Sequence, residues 1–285
     1  MIHYRRTTMK MAKQYRNYEK YLRNLDRTEK YIKHVMAKIK KYAVKPLNAS
    51  IIDTILEENN ELTGRTRIFI LRSVRGFMDW LVQRGKLKSN PLARLPRLRT
   101  APTRKNRALL REEGEKLLLV SPPERSLIYK VALSTGLRRG EISRLRWAHL
   151  DIGERVFRIP AKLTKNRQAA TVPFSRSLRD DLAVLALARD SDDPNNKIFP
   201  VMPTVRHFNK DVWRAGMRKV DQFGGRVTFH SLRSTFCTLL LKNDRTDSGM
   251  VSKLMRHSDP RLTLKVYYSV REAEKREAID AAMEW

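Results

Sequence analysis

Two adjacent tyrosines fall near the end of the stretch "LMRHSDPRLTLKVYYSV", residues 254–270, and a phenol hydroxyl does covalent chemistry only when other groups are brought beside it. Taken alone, the stretch reads as an amphipathic helix whose tyrosines pack their rings and keep their hydroxyls near water. Three other pieces, and His257 within the same stretch, carry groups that could serve such a hydroxyl. In "STGLRRGEISRL" a glycine lets an apolar helix stop, Arg138 opens a short helix, and Glu141 follows three residues on. A guanidinium near a helix start suits a phosphate, because its planar fork binds two oxygens while backbone N–H groups help. By itself Arg138 would be a solvated surface charge, and Glu141 could either pair with it or cap the turn.

In "LTKNRQAATVP", Lys165 takes the tip of an expected hairpin. Lysines at such turns are usually solvated, yet a flexible three-donor ammonium can reach a groove edge or protonate a leaving alkoxide. In "TFHSLRSTF", His230 and Arg233 are three apart at a helix start and share a face. They pair a group that exchanges protons near neutral pH with a permanent cation. His257, just ahead of the tyrosine helix, reads by default as a helix-terminal histidine satisfied by packing.

The elements that must position these groups fall into two blocks. From about residue 4 to 85 the pattern is helical: Ile32, Val35, Met36 and Ile39 recur at helical spacing, and Asn48 or Ser50 can cap the helix that begins Ile51, Ile52. A further helix, ending at Gly85, carries Ile68, Leu71, Val74, Phe77, Met78 and Leu81 on one side. Prolines 91, 96 and 102 with cations between them make "NPLARLPRLRTAPTRKNRALL" an extended basic linker. The expected division is a helical domain over 1–90, a linker over 91–104 and a second domain over 105–285. In that second domain "RVFRIPAKLTKNRQAATVPF" predicts two short strands around a polar turn at 164–168. Helices are predicted around 176–189, 204–220, 230–242, 247–256 and 260–268, with a charged terminal one over 271–285.

Composition narrows the function. The 285 residues carry 60 Lys+Arg against 30 Asp+Glu, a formal charge of +30. So large a surplus repels itself in a compact chain unless a polyanion neutralises it, which favours DNA or RNA over a membrane. A solubilising surface or ribosome-like RNA binding would produce the same charge. No run of about 18 apolar residues is present, and the first residues lack the apolar core of a secretory signal, so the expected location is cytoplasmic. Cys237, the single cysteine, lies in the apolar "TFCTLLL" and reads as a buried structural thiol; no cluster has zinc spacing.

In order along the chain, "TGLR", "TKN" before "VP", "FHSLR", "RHSD" and "TLKVY" place Arg, Lys, His-x-x-Arg, His and Tyr in one register. This pattern resembles the tyrosine recombinase (phage integrase) family and covers nearly the whole second domain. The resemblance implies a mainly α fold with a small β-hairpin: a helical SAM-like core-binding domain, then an α+β catalytic domain. It implies the catalytic set Arg138, Lys165, His230, Arg233, His257 and Tyr267, with Glu141 supporting. Lys165 rather than Lys162 is matched by its offset from "VP", and Tyr267 rather than Tyr268 by "TLKVY".

The chain departs from the family where the usual "LGH" reads "MRH" and where Ser234 replaces a second histidine. The implied chemistry needs neither cofactor nor metal. The arginines clamp the non-bridging oxygens, Lys165 protonates the leaving 5′ oxygen, His230 takes the phenol proton, His257 adds a hydrogen bond and Tyr267 forms a 3′-phosphotyrosine. The implied partners are double-stranded DNA, a homotetramer passing through a Holliday junction, and accessory DNA-bending or directionality proteins. Integration or excision of a mobile element is the first expectation. A Xer-like dimer-resolving enzyme, favoured by the lack of an evident arm-binding domain before residue 4, and a catalytically inactive DNA-binding derivative are the alternatives. A type IB topoisomerase shares the chemistry but fits the helical domain and compact length less well. The terminal helix is expected to fold back or to dock on a neighbouring protomer.

Overall fold

The computed structural model describes residues 2–43, 50–98, 106–164, 168–222, 224–243, 245–257, 259–264, 266 and 283, with side chains from residue 11 onward. The chain divides into two compact units, Met1–Thr103 and Arg104–Trp285. The fold is mainly helical, with one small antiparallel sheet. Among the described residues no helix is long and apolar enough to cross a membrane.

The first unit is built from α1 (Ile2–Asn24), α2 (Glu29–Tyr42), α3 (Ile51–Glu57) and α4 (Gly64–Gln83). Thr28 caps α2 by accepting the Tyr31 N–H, while Glu29 in the first turn and Lys40 and Lys41 in the last oppose the helix dipole. The periodic residues Ile32, Val35, Met36 and Ile39 are all buried, against an aromatic cluster in which Tyr15, Tyr18, Phe77 and Trp80 meet edge-on, tilted or stacked. A second cluster joins Tyr42, Ile51, Ile55, Ile70, Leu71, Val74 and Met78. On α4 the buried stripe includes Ile70, while Ile68, expected to belong to it, is only half-buried. Leu92 lies in the expected linker yet is fully buried in the second cluster, with Leu95 and Leu98 packed beside it. Asn90 anchors this return, donating to Asp79 Oδ1 at 2.6 Å and accepting the Leu92 N–H at 2.8 Å.

The second unit contains α5 (Arg111–Val120), α6 (Pro123–Thr135), α7 (Arg139–Ile142), the strands β1 (Leu150–Asp151), β2 (Val156–Ile159) and β3 (Ala170–Pro173), and then α8 (Arg176–Leu187), α9 (Val205–Arg214), α10 (Phe229–Leu241) and α11 (Ser248–Met255). The sheet order is β1-β2-β3, all antiparallel, with Phe157 opposite both Leu150 and Val172. Sequence reasoning anticipated β2 and β3 but missed β1, whose two residues are too short for an alternation to show. The helix expected over 204–220 stops at Arg214, because Gly216 enters the left-handed region at φ 71° and the Met217 N–H turns back to Val212 O.

The helices enclose one large core in which Tyr129, Phe157, Leu178, Leu182 and Leu232 are fully buried. Asp211, a charge buried within it with no solvent exposure, accepts from Arg125 Nε and Nη2 and from the Tyr129 hydroxyl, each at 2.8 Å. Burial would raise the Asp211 pKa, but the Arg125 and Tyr129 hydrogen bonds outweigh it and hold the carboxyl below its usual 3.8. A carboxylate depressed in this way stabilises the fold above its unfolded pKa and loses that contribution as pH falls through the folded value. Asp211→Ala should therefore cost roughly 2–3 kcal/mol, toward the low end for a broken buried pair because Arg125 keeps some solvent. Tyr129→Phe should cost about 1 kcal/mol. Chemical denaturation checks both, and equal costs for the two would contradict the ion pair as the dominant contact.

Candidate active site

The site begins where α6 ends. Gly136 takes the left-handed conformation, φ 61°, which a glycine adopts without penalty. A Cβ here would lie 2.5 Å from Phe236 Cδ1 and 3.3 Å from Met255 Sδ, so the close approach of α6, α10 and α11 also depends on its absence. The turn delivers Arg138 as the residue capping α7. Glu141, three residues later and 2% exposed, does both things the sequence allowed: its Oε2 accepts the Arg138 backbone N–H at 2.9 Å, and its Oε1 pairs with Arg138 Nη1 at 3.0 Å. Arg144 ties α7 to the turn after β2, donating from Nε to Gly140 O and from Nη2 to Leu163 O, both at 2.7 Å.

From α10 comes the HSLR segment. His230 is exposed on the first turn, whereas Arg233 is buried, 3% exposed, and spends its terminal nitrogens on backbone. Nη1 bonds Gly136 O and Nη2 bonds Met255 O, the carbonyls that finish α6 and α11. A cation placed on two helix C-termini is favourably sited with respect to both dipoles. The guanidinium expected to clamp a phosphate thus also sets the two turns on which its neighbours stand. Burial, and then the charges of Arg138 and Arg256, lower the Arg233 pKa to about 10, so it remains cationic at neutral pH.

From the end of α11 come Arg256 and His257. Arg256 is left-handed at φ 52°, and its Nη2 donates to Glu141 Oε2 at 2.9 Å. His257 Nδ1 bonds the fully buried Thr263 hydroxyl at 2.7 Å. Residues 261–264 are helical, opening the element in which the tyrosines were expected. Glu141 is held below the usual carboxylate range: burial opposes ionisation, but the Arg256 charge, the Arg138 N–H and further arginine contacts override it. The imidazoles respond to the same field in the other direction. Loss of hydration, then Arg233 and Arg138, lowers His230; loss of hydration, then Arg233, Arg138, His230 and Arg256, lowers His257 to about 4. Cys237, on α10 behind this layer, is buried as expected, and burial pushes its thiol up to about 11.

Arg138, Glu141, Arg256 and His257 line one cleft of about 810 Å³, together with Thr164 and Gln168 from the hairpin turn, Ser252 and Lys253 from α11, and Leu264. Lys165 and Tyr267 lie outside the described residues, as do Tyr268 and all but Met283 of the expected terminal helix over 271–285. Sequence reasoning missed Arg256 and Thr263 as parts of the site. The departure "MRH" was visible, but nothing in the pattern revealed that its arginine reaches Glu141.

Comparison with known proteins places this geometry. The phage integrase family profile matches residues 109–274, more than half of the chain. Tyrosine recombinase XerA of Thermococcus onnurineus (strain NA1) is 29% identical over 192 residues, covering 62% of each chain. The shufflon-specific DNA recombinase of Escherichia coli is 30% identical over 219 residues, covering 68% of this chain and 52% of its own. The chain therefore spans less than two thirds of the length of either relative. Tyrosine recombinase XerC of Haemophilus influenzae (strain PittEE) is 26% identical, covering 84% of this chain and 81% of its own. Among solved structures, a lambda integrase dimer bound to a COC′ core site superposes with a TM-score of 0.71 over 90% of this chain and 94% of that one. Their 18% identity makes that likeness one of fold. With the profile spanning α5 through the cleft and the ordered Arg, His-x-x-Arg and His positions all within it, the chain belongs to the phage integrase family of tyrosine recombinases.

Proposed function

We propose that the chain is a site-specific DNA recombinase that breaks and rejoins a phosphodiester through Tyr267. The observation that carries this reading is the charge of the cleft: Arg138, Arg256 and Lys253 line it with Glu141 as the carboxylate among the described lining residues, and buried Arg233 adds to its field. A cleft so charged is complete when it holds an anion. A phosphodiester resists attack because its charge repels the nucleophile and more charge gathers on its oxygens in the transition state, where preorganised guanidinium groups act most strongly.

In this reading Arg138 donates to a non-bridging oxygen, oriented by Glu141 on one of its terminal nitrogens and on its backbone, while Arg233 supports the same oxygens from beneath. The Tyr267 oxygen attacks phosphorus, the bond to the 5′ oxygen breaks, and Lys165 supplies the proton that this oxygen takes up. His230, in the first turn of α10 and with a lowered pKa, is neutral at physiological pH and able to accept the phenol proton. His257 is neutral as well, and with Nδ1 held by Thr263 its Nε2 is the ring atom left to meet the phosphate. The 3′-phosphotyrosine conserves the bond energy, so a second strand's 5′ hydroxyl reverses the step without ATP. The overall outcome is integration or excision of a mobile element, by four protomers on two DNA sites through a Holliday junction. The broad coverage of a XerC protein carries a Xer-like resolving reaction as the second reading.

Two outcomes test the chemistry. On a nicked suicide substrate carrying its cognate site, the protein should form a covalent adduct that Tyr267→Phe abolishes and Tyr268→Phe leaves intact. Loss of the adduct in Tyr268→Phe alone would shift the nucleophile by one residue, and no adduct on any site would support a binding-only protein.

The neutral state of His257 shows in stability. An unfolded histidine takes up its proton near 6.5 and this one only near 4, so protonation favours the unfolded chain. That contribution is intact above about 6.5 and is lost progressively as pH falls toward 4. His257→Gln should flatten this part of the acid limb of a denaturation midpoint-versus-pH curve. An unchanged limb would show that His257 has the same pKa in the folded and the unfolded chain.

A further inference from the structure

Arg256 stands in a backbone conformation, φ 52° and ψ 46°, that a residue with a Cβ adopts reluctantly and glycine adopts freely. The turn alone would be better made by glycine, so the side chain accounts for an arginine at this position. That side chain is 12% exposed and commits one nitrogen, Nη2, to Glu141. Its Nε and Nη1 are both buried and have no hydrogen-bond partner. Guanidinium nitrogens withdrawn from water are normally paired, because leaving them bare forfeits hydration with nothing in return.

The missing acceptor is chemically constrained. Glu141 is already shared between Arg138 and Arg256, and no second carboxylate lines the cleft among the described residues. The side chains bordering it on the α11 side, Ser252, Lys253 and His257, bring no negative charge. An anion with several oxygens would meet one of the unpaired nitrogens of Arg256 and the free nitrogens of Arg138 together, and a phosphate has that form.

We propose that Arg256 is a phosphate-binding residue of this cleft in addition to Arg138: with Nη2 fixed on Glu141, one of its two unpaired nitrogens, Nε or Nη1, donates to a phosphate group of DNA seated there. Glu141 then acts as a hinge of charge between two guanidinium groups and keeps both turned toward one anion. Arg256 also adds, after loss of hydration and Arg138, to the charges that lower His257 and Arg233, in agreement with its place in one shared field. The proposal rests on the cleavage reading for identifying the phosphate as that of DNA, and does not need that reading for the site itself.

Arg256→Gly tests it, since glycine suits the backbone and leaves Glu141 paired with Arg138. Inorganic phosphate is titrated into the full chain by calorimetry, beside Lys116→Ala as a control cation outside the cleft. Phosphate affinity should fall about tenfold or more in Arg256→Gly, the factor that one lost charge-assisted hydrogen bond carries. It should be kept in Lys116→Ala and fall part-way in Arg256→Lys, with the thermal midpoint of Arg256→Gly no lower than that of the parent in phosphate-free buffer.

Unchanged affinity, an equal fall in Lys116→Ala, or a clear drop in the phosphate-free midpoint of Arg256→Gly would overturn the proposal, the last by making the residue a structural strut. On the suicide substrate, an adduct that Arg256→Gly forms as fast as the parent overturns the inference and leaves the cleavage reading standing. No adduct from either protein, with phosphate affinity lost in Arg256→Gly, keeps the phosphate site and removes the cleavage reading.

Discussion

The Arg233 guanidinium, buried and bonded to Gly136 O and Met255 O, is the contact on which the rest of the site depends. Those carbonyls end α6 and α11, and each is followed within two residues by a group of the cleft: Arg138 after Gly136, and Arg256 with His257 after Met255. A charge this deep is tolerated only where its donors are met, and helix C-termini meet them with unpaired carbonyls and a favourable dipole. The steric condition is as strict as the electrostatic one. Phe236 and Met255 occupy the space that a side chain at Gly136 would need, so the two turns can approach only with glycine there.

The electrostatic balance of the site follows from that arrangement. Guanidinium groups from α7, α10 and the end of α11 are gathered around a single carboxylate, Glu141, whose two oxygens are divided between Arg138 and Arg256. Loss of hydration first, and then this surplus, keeps both imidazoles neutral, since each would otherwise add charge to an already positive enclosure. Neutral imidazoles can accept or donate single hydrogen bonds, which is what proton transfer at a phenol and contact with a phosphate require. The same sign extends over the whole chain, whose formal charge is +30. The long-range field that gathers a polyanion and the local field that would receive one of its phosphates are therefore continuous in character.

Much of this was legible in the sequence because it is periodic or local. Ile32, Val35, Met36 and Ile39 declared their face by spacing, and all four are buried. Glu141 declared its reach to Arg138 by lying three residues along a helix start. Features that depend on contacts distant in sequence were not legible. Asp211 gave no sign that Arg125 and Tyr129 would surround it, and Leu92 sat among prolines that suggested an open linker. Arg233 declared its type and its face but not that its terminal nitrogens hold two carbonyls, and Arg256 showed only as a departure from a pattern. Motif spacing reports which groups share an element; it cannot report which backbone atoms another element will bring to them. Lys165 and Tyr267 lie outside the described residues, so their part in the site rests on the register of the motifs.

The organising role of Arg233 is open to a direct measurement: amide hydrogen exchange across the full chain, compared with Arg233→Lys. Lysine keeps the charge but cannot hold two carbonyls with a planar fork. Protection should fall together at Leu137–Ile142 and at Lys253–His257, segments far apart in sequence, while the β2–β3 ladder and the first unit keep theirs. Exchange unchanged in both segments, or loosened only within α10, would contradict the claim that this one guanidinium sets the geometry of the site.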